Sequence, residues 1–574
     1  MKAKVKKFGD KANYGIQIIS VGALTGLFAG VIVTLYGALA KLSEEFSRGY
    51  YGFFRENPAF IPLLFLALFA GAIVIGGVLK FIPMIRGSGI PQTEGATRGL
   101  IRYKWYQVLP SMFAASLFTI FMGLSAGSEG PSIMIGGASG CGVSDVLKRN
   151  ATVRRYSVTG GACAGLAVAF NAPLTGMAFA FEEAHKRFTP EVFVCAFSSV
   201  IFAILTRNLL GPCVGVGAGA CFTTFVFDAA ANTDYLFYVY VFAASLICAL
   251  AAVGFYFLLF LSKKLFAKVR FWKGMGKFLI PFLIGGAFAL ITVNVMGGGH
   301  DFISSLGSVN EKGDAVDSLS MVERVFFSPI WATLLIVVVL KLILTVLNLG
   351  AGVPCGIFIP MLAIGAGLGA LLSILCTLIG MPASYSDILI MICMATFFTT
   401  VVKAPITGIV MVVELTWNFT FLLPAILGVA VGYVLGALFH TEPLYDKLLD
   451  GILDEKKDKE PHHFVTARLR VTEGSTAAGR TVRDVLWPAG ARIALLQQGD
   501  RMIIPDGNSD MRAGDVLTAV GETSNEEEFL HLLTETVGEL LDRETVQSQH
   551  PQPSPSQTQI STEPTSEDDS QSHL

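Results

Sequence analysis

"AGSEGPSIMIGG", residues 126–137, places a carboxylate, Glu129, between two glycines and just ahead of Pro131, with long apolar runs before and after it. A chain that can tolerate an acid there has a use for it, because ionisable groups within apolar spans are costly and mark pathways or sites. Glycine permits a tight approach, and proline is at home in the first turn of a helix. The stretch therefore reads as a loop that opens into a helix inside an apolar setting.

The rest of the chain supplies that setting. Its 574 residues are 53% hydrophobic and 15% charged, with a mean hydropathy of +0.60, whereas a soluble protein is about a quarter charged. Apolar runs of spanning length recur at 15–40, 59–83, 107–126, 158–183, 192–210, 236–262, 278–296, 329–349, 387–413 and 420–440, so the chain reads as a polytopic membrane protein. The basic start, "MKAKVKKFGDK", leads into an apolar run with no small-residue cleavage site. The basic groups Lys2, Lys4, Lys6 and Lys7, Lys148, Arg149, Arg154 and Arg155, Lys186 and Arg187, and Lys263, Lys264, Lys268 and Arg270 are expected on the cytoplasmic side. Charge divides the chain. Residues 1–453 carry 31 basic and 22 acidic side chains, and residues 454–574 carry 11 and 22, which predicts a second, soluble domain. The nine cysteines, scattered with no CxxC pair, read as small hydrophobes. The eight histidines show no metal-ligand spacing.

The membrane part repeats itself. "GPSIMIGGASG" places Pro131, Gly136 and Gly140 at the spacing of Pro360, Gly365 and Gly369 in "IPMLAIGAGLG". "NAPLTGMAFAFEE" (171–183) matches "KAPITGIVMVVEL" (403–415), with Ala172, Pro173, Thr175, Gly176 and Glu182 opposite Ala404, Pro405, Thr407, Gly408 and Glu414. Small residues recur in any packed membrane helix, but five matches at one offset indicate duplication, a signature of secondary transporters. The offset leaves open whether the halves run parallel or inverted.

Three motifs interrupt the apolar runs: "GSGIP" (Gly87, Gly89, Pro91), "GSEGP" (Gly127, Gly130, Pro131) and "GIFIP" (Gly356, Pro360). Each reads as a loop followed by a helix start, which exposes N–H groups and the positive end of a helix dipole. Non-helical backbone at membrane depth is tolerated where it is buried or lines a cavity. Helix starts converging on one cavity can bind an anion with partial charges alone and still release it. Two roles are open to Glu129. Ionised, it can take an anion's place at the helix start and leave when protonated, coupling a proton to an anion; alternatively it is a helix cap near the surface. Glu183, followed by His185, Lys186 and Arg187, is either a relay for protons at the cytoplasmic end or a solvated helix end paired with Lys186 or Arg187. Glu182, with its repeat partner Glu414, is expected to have a separate structural role.

These motifs, in this order over residues 15–450, resemble the CLC family of chloride channels and chloride/proton exchangers. The resemblance implies an all-α membrane domain built as an inverted repeat of broken, tilted helices, in a homodimer with one pore per subunit. It implies chloride held by the hydroxyls of Ser88 and Tyr445 and the amides of Ile357 and Phe358, with Glu129 as the outer gate and Glu183 as the inner proton-transfer group. An inner glutamate accompanies exchangers in this family, so the expectation is chloride/proton antiport; a passive voltage- or pH-gated chloride channel of the same fold is the alternative. Nitrate-preferring relatives carry proline at the Ser88 position, and fluoride exporters differ at these motifs. Ser128 departs from the family pattern, which has lysine or arginine there, and this bears on anion attraction at the outer mouth.

After Tyr445 the composition changes. Residues 1–14 are expected to form a basic cytoplasmic N-terminus, 451–461 a linker, 462–541 a small α+β cytoplasmic domain and 542–574 a disordered, polar tail. "FVTARLRVT", "RIALLQQ", "RMIIP" and "GDVLTAVG" read as strands, "TVRDVLW" as a short helix and "SNEEEFLHLLTETVGELL" as an amphipathic helix. Together, "EGSTAAGRTVRDV" and "MIIPDGNSDMRAGDVLTAVG" resemble the TrkA-C (RCK C-terminal) module. That implies a dimerising regulatory domain, either with a small nucleotide-type ligand or acting as a clamp without one, and points to a prokaryotic inner membrane with both termini cytoplasmic. No metal, catalytic residue or nucleic-acid surface is expected; the transported ions are chloride and protons. A potassium system predicts a TVGYG-type filter, and the sequence has none. An intramembrane enzyme needs a Ser–His or metal constellation, and none is apparent.

Overall fold

The computed structural model describes residues 2–186, 189–214, 234–269, 271–306, 330–416, 419, 422–457, 463–523 and 525–547. Arg187, Arg270, residues 458–462 and the tail from 548 onward lie outside the described residues. The chain forms two compact units, residues 1–456 and 457–574.

The first unit is helical. Among the described residues, seven helices are long and apolar enough to cross a membrane, from Tyr14–Glu56 to Ala383–Val402, and four more apolar helices are shorter. Two expected spans are each broken in two. The run 158–183 divides into helices Ala151–Phe170 and Pro173–Phe179, and the run 387–413 into Ser386–Val402 and Pro405–Thr416. The cause is the same in both. Asn171 (φ 54°) and Lys403 (φ 69°) are left-handed residues that end the first helix, and Pro173 and Pro405 start the next. Asn171 and Lys403 are themselves at equivalent positions of the repeat, so the break was duplicated with the sequence.

Small residues set the packing. Helix Glu129–Val146 lies against Ala151–Phe170 so closely that a Cβ on Gly136 would stand 2.1 Å from the carbonyl of Gly161, and one on Gly140 2.0 Å from that of Ser157. The second repeat packs Gly369 of helix Phe358–Leu378 against Ile390 in the same manner. Every residue of Ser386–Val402 is buried. That is the condition of a helix apolar all round when protein, not lipid, surrounds it.

The second unit has a five-stranded sheet. In chain order its strands are β1 (His463–Val471), β3 (Arg492–Gln498), β4 (Arg501–Ile503), β6 (Val516–Thr523) and β7 (Gly538–Gln547); β2 (Arg480–Thr481) and β5 (Asp510–Met511) form a separate pair. The spatial order is β4-β3-β6-β1-β7. β1 and β6 pair antiparallel with Ala467 opposite Ala519 and Leu469 opposite Leu517. Alternate residues Val465, Ala467, Leu469 and Val471 enter a core closed by Phe529, Leu530, Leu533 and Val537 of helix Glu526–Val537. Two features depart from expectation. "TVRDVLW" gives only a single turn, Val482–Asp484. The expected amphipathic helix stops at Val537 because Gly538 (φ 130°) reverses the chain. From there the chain runs as strand β7, which pairs with β1 and carries ordered structure past 541 to Gln547.

Candidate anion and proton pathway

The three Gly/Pro motifs meet. Gly127 and Gly356 exchange backbone hydrogen bonds, with N–H to O distances of 3.0 and 2.7 Å. Gly87 N–H donates to Gly352 O and Cys355 N–H to Gly87 O, both at 3.2 Å. A Cβ on Gly130 would lie 2.6 Å from the carbonyl oxygen of Ser88. Absent side chains thus let three turns touch, and each opens a helix: Ile90–Thr97, Glu129–Val146 and Phe358–Leu378. Gly89, at φ 80°, makes the turn that leads from Ser88 into the first. Ile90 N–H donates to Ser88 Oγ at 3.4 Å. The convergence of helix starts expected from sequence is present, with Ser88, Ile357 and Phe358 buried. The Phe358 ring is packed between Phe170 and Phe398, at centroid distances of 5.2 and 4.6 Å.

Glu129 is fully buried. Its Oε1 accepts from Ser128 Oγ at 3.1 Å and contacts His300 Nε2 at 3.0 Å. Its Oε2 has no hydrogen-bond partner among the described residues and stands over Gly127, 2.5 Å from where a Cβ would be. The carboxylate was expected on helix amides; it is held instead by two side chains. Ser128, the departure from the family motif, is one of them. His300 was missed by sequence reasoning, since nothing local connects "GGGHDFI" with a glutamate 171 residues away.

Tyr445 opens helix Leu444–Lys457 and is completely buried, its hydroxyl without a partner among the described residues. A buried hydroxyl left in that state is costly and fits a group that donates to an anion. The buried carboxylates Glu183, Glu94 and Glu129 lie within electrostatic reach of Tyr445. The next residue anchors it: Asp446 accepts from Arg98 Nη2 at 2.7 Å and pairs with Lys186. Lys186 thus has its ion pair with Asp446. Glu183 sits in a π-turn, Ala180–Ala184, and is 2% exposed. Its neighbour is Glu94 of helix Ile90–Thr97, a second buried carboxylate that sequence reasoning passed over. Thr97 Oγ1 donates to the carbonyl of Ala184 and ties the two elements together. The signal for Glu94 was present in "GSGIPQTEG": a charge in the short helix directly after a motif already singled out.

The π-turn also separates Glu182 from Glu183. Glu182 accepts from the N–H groups of Ile406 and Thr407 at 3.0 and 2.6 Å. Its repeat partner Glu414 accepts from the N–H groups of Leu174 and Thr175 at 2.8 and 2.7 Å and from Thr175 Oγ1 at 2.8 Å. Each caps the short helix of the other half. Exchange of equivalent contacts, here and at Gly127–Gly356, is the mark of a two-fold relation between halves.

Comparison with known proteins agrees with this architecture. The model of the voltage gated chloride channel family matches residues 70–437, and that of the TrkA-C domain residues 466–534. The H(+)/Cl(-) exchange transporter ClcA of Vibrio cholerae serotype O1 is 29% identical over 465 residues, 79% of this chain and 94% of the relative. ClcA of Yersinia pseudotuberculosis is 30% identical over 413 residues, 70% and 80% of the two chains. The solved structure of a slow cyanobacterial Cl-/H+ antiporter superposes with a TM-score of 0.64 at 24% identity, covering 76% of this chain and 99% of that one. With converging helix starts, an inverted repeat of broken helices and a family match over most of its membrane unit, the chain belongs to the voltage gated chloride channel (CLC) family.

Proposed function

We propose that this protein exchanges chloride for protons across a membrane. One observation supports it most: the Tyr445 hydroxyl, buried and without a partner among the described residues, lies within electrostatic reach of Glu183, Glu94 and Glu129, so one anion site has buried carboxylates that could carry protons toward it. The names of the ClcA relatives point the same way. Chloride rests on the hydroxyls of Ser88 and Tyr445 and the amides of Ile357 and Phe358. Ionised Glu129 competes for the pathway; protonated, it is neutral and gives way. Glu183 takes protons from the cytoplasmic side. The protein works as a homodimer in a prokaryotic inner membrane, with the TrkA-C domain as its regulatory part, in the cytoplasm.

Reconstituted flux tests the coupling. An imposed chloride gradient drives protons uphill in vesicles of the purified protein. Glu129→Gln stops proton movement and spares part of the chloride flux, and Glu183→Gln also uncouples. Wild-type vesicles that pass chloride with no protons would establish the passive channel instead.

A further inference from the structure

Glu129 has one contact that its motif does not account for. His300 Nε2 lies 3.0 Å from Glu129 Oε1. The two side chains differ in access, with His300 16% exposed and Glu129 fully buried. Part of the imidazole side chain reaches the surface although its Nδ1 is buried, whereas the carboxylate does not reach it at all.

The backbone is built to bring them together. Ala126 N–H donates to Gly297 O at 3.1 Å, and Gly297 N–H to Leu124 O at 2.9 Å. The turn before His300 is thus bonded to the turn before Glu129. Two of its three glycines allow this, since Gly297 (φ 57°) and Gly299 (φ 101°) are left-handed, while a Cβ on Gly298 would stand 3.2 Å from Cγ2 of Ile359.

Charged groups from each packed element face this spot. Helix Lys2–Glu56 supplies Glu44 and Arg48, helix His300–Leu306 supplies Asp301, and helix Ile330–Ala351 supplies Lys341. Arg48 is engaged by Glu44 at 3.2 Å and Asp301 at 3.0 Å. The buried Lys341 Nζ donates to the carbonyls of Val295 and Gly297, both at 3.4 Å. Among these cations, His300 is the one in hydrogen-bond contact with Glu129.

We propose that His300 is the proton relay that serves Glu129 from the outer solution, an inference that rests on the antiport reading above. The imidazolium holds the Glu129 carboxylate through Nε2–H and Oε1. The proton passes from Nε2 to Oε1, leaving a neutral imidazole and a neutral carboxylic acid, so charge and atoms balance. The neutral acid swings away from the ring with the proton. The place the acid vacates admits water, from which Nε2 takes its next proton. A donor already in place at hydrogen-bond distance speeds proton transfer by about a hundredfold or more in favourable cases. Ser128, bonded to the same oxygen, keeps Oε1 turned toward the ring.

The test uses full-length protein in oriented vesicles, with chloride and proton flux measured while the outer pH is varied. The wild type shows a step in turnover between about pH 5 and 8, the range in which histidine titrates. His300→Phe lowers turnover at least about tenfold and removes the step, while the chloride-to-proton ratio holds because Glu129 still carries each proton. His300→Gln restores a hydrogen-bond donor without a titrating group. It recovers the thermal stability of the wild type but not the step, which separates a relay from a merely structural contact. Coupled flux with turnover and pH profile unchanged in His300→Phe, or a full return of the step in His300→Gln, overturns the relay alone. Wild-type vesicles that move chloride without protons overturn the antiport reading, and the relay with it.

Discussion

Glu182 and Glu414, at equivalent positions of the two halves, each close the start of a helix that belongs to the other half. The reciprocity makes each half incomplete alone. Every one of these bonds joins a backbone N–H to a carboxylate, the stronger class of hydrogen bond, and those at Glu414 are the better shielded from solvent.

Glu414→Gln tests this lock. The amide keeps one acceptor oxygen but turns an NH2 group toward the N–H donors of Leu174 and Thr175, leaving at least one without a partner. Losing a bond to a charged acceptor at a buried site costs about 1.5–3 kcal/mol. The membrane unit of the variant therefore melts below the wild type in detergent, followed by thermal unfolding. Glu182→Gln costs less, because the Ile406 side of its cap is exposed. The chloride-to-proton ratio stays at its wild-type value in both, since each carboxylate is taken up by the helix start it caps. A Glu414→Gln protein with an unchanged melting point would show that the cap carries no energy.

Asp446 is the anchor through which Tyr445 is placed. Its carboxylate takes Arg98 and Lys186 at once, and it adjoins the tyrosine at the start of one helix. Asp446→Asn weakens both ion pairs and lets that helix start shift, so the buried hydroxyl loses its aim. Chloride affinity, measured by titration calorimetry on the purified protein, falls about tenfold, equivalent to about 1.4 kcal/mol. Adding Tyr445→Phe to Asp446→Asn lowers affinity little further, because both changes act on one contact. Fully additive losses would place Asp446 outside that role.

Local chemistry explains which parts of this site could be read from the chain. Gly87, Gly127 and Gly356 with their prolines announce helix starts wherever they occur, so the three openings and the repeat were legible, as was the pairing of Glu182 with Glu414. The breaks at Asn171 and Lys403 were passed over although Pro173 and Pro405 mark them, because the runs 158–183 and 387–413 have the length of single spans and a left-handed residue other than glycine leaves little trace. Glu94 and His300 were missed for another reason. Each looks solvated in its own segment, and burial and partnership come only from distant elements: the π-turn for Glu94, and for His300 a glutamate on a helix more than a hundred residues earlier. Strand β7 lacks the alternation that marked β1, and only its pairing with β1 makes it a strand.

Gly127 is the point where Glu129 and the repeat axis coincide. It exchanges backbone bonds with Gly356, and the Oε2 atom of Glu129 lies directly above it. A methyl group there would stand 2.5 Å from that oxygen and 3.0 Å from Cδ of Pro360. The proline ring cannot yield without moving the start of helix Phe358–Leu378, so the carboxylate is the part displaced. Gly127→Ala therefore pushes Glu129 from its position beside Ser128 and His300 and leaves the pathway less well closed. In vesicles, chloride flux persists while the protons moved per chloride fall at least about threefold; a charge-assisted contact worth about 1.5–3 kcal/mol is ample for that shift in occupancy. Gly52→Ala, where nothing lies within 4 Å of the added carbon, is the control for handling and insertion, and its coupling matches the wild type. Intact coupling in Gly127→Ala would mean that Glu129 can gate from a second position, and that the close fit over Gly127 serves the joint between the halves alone.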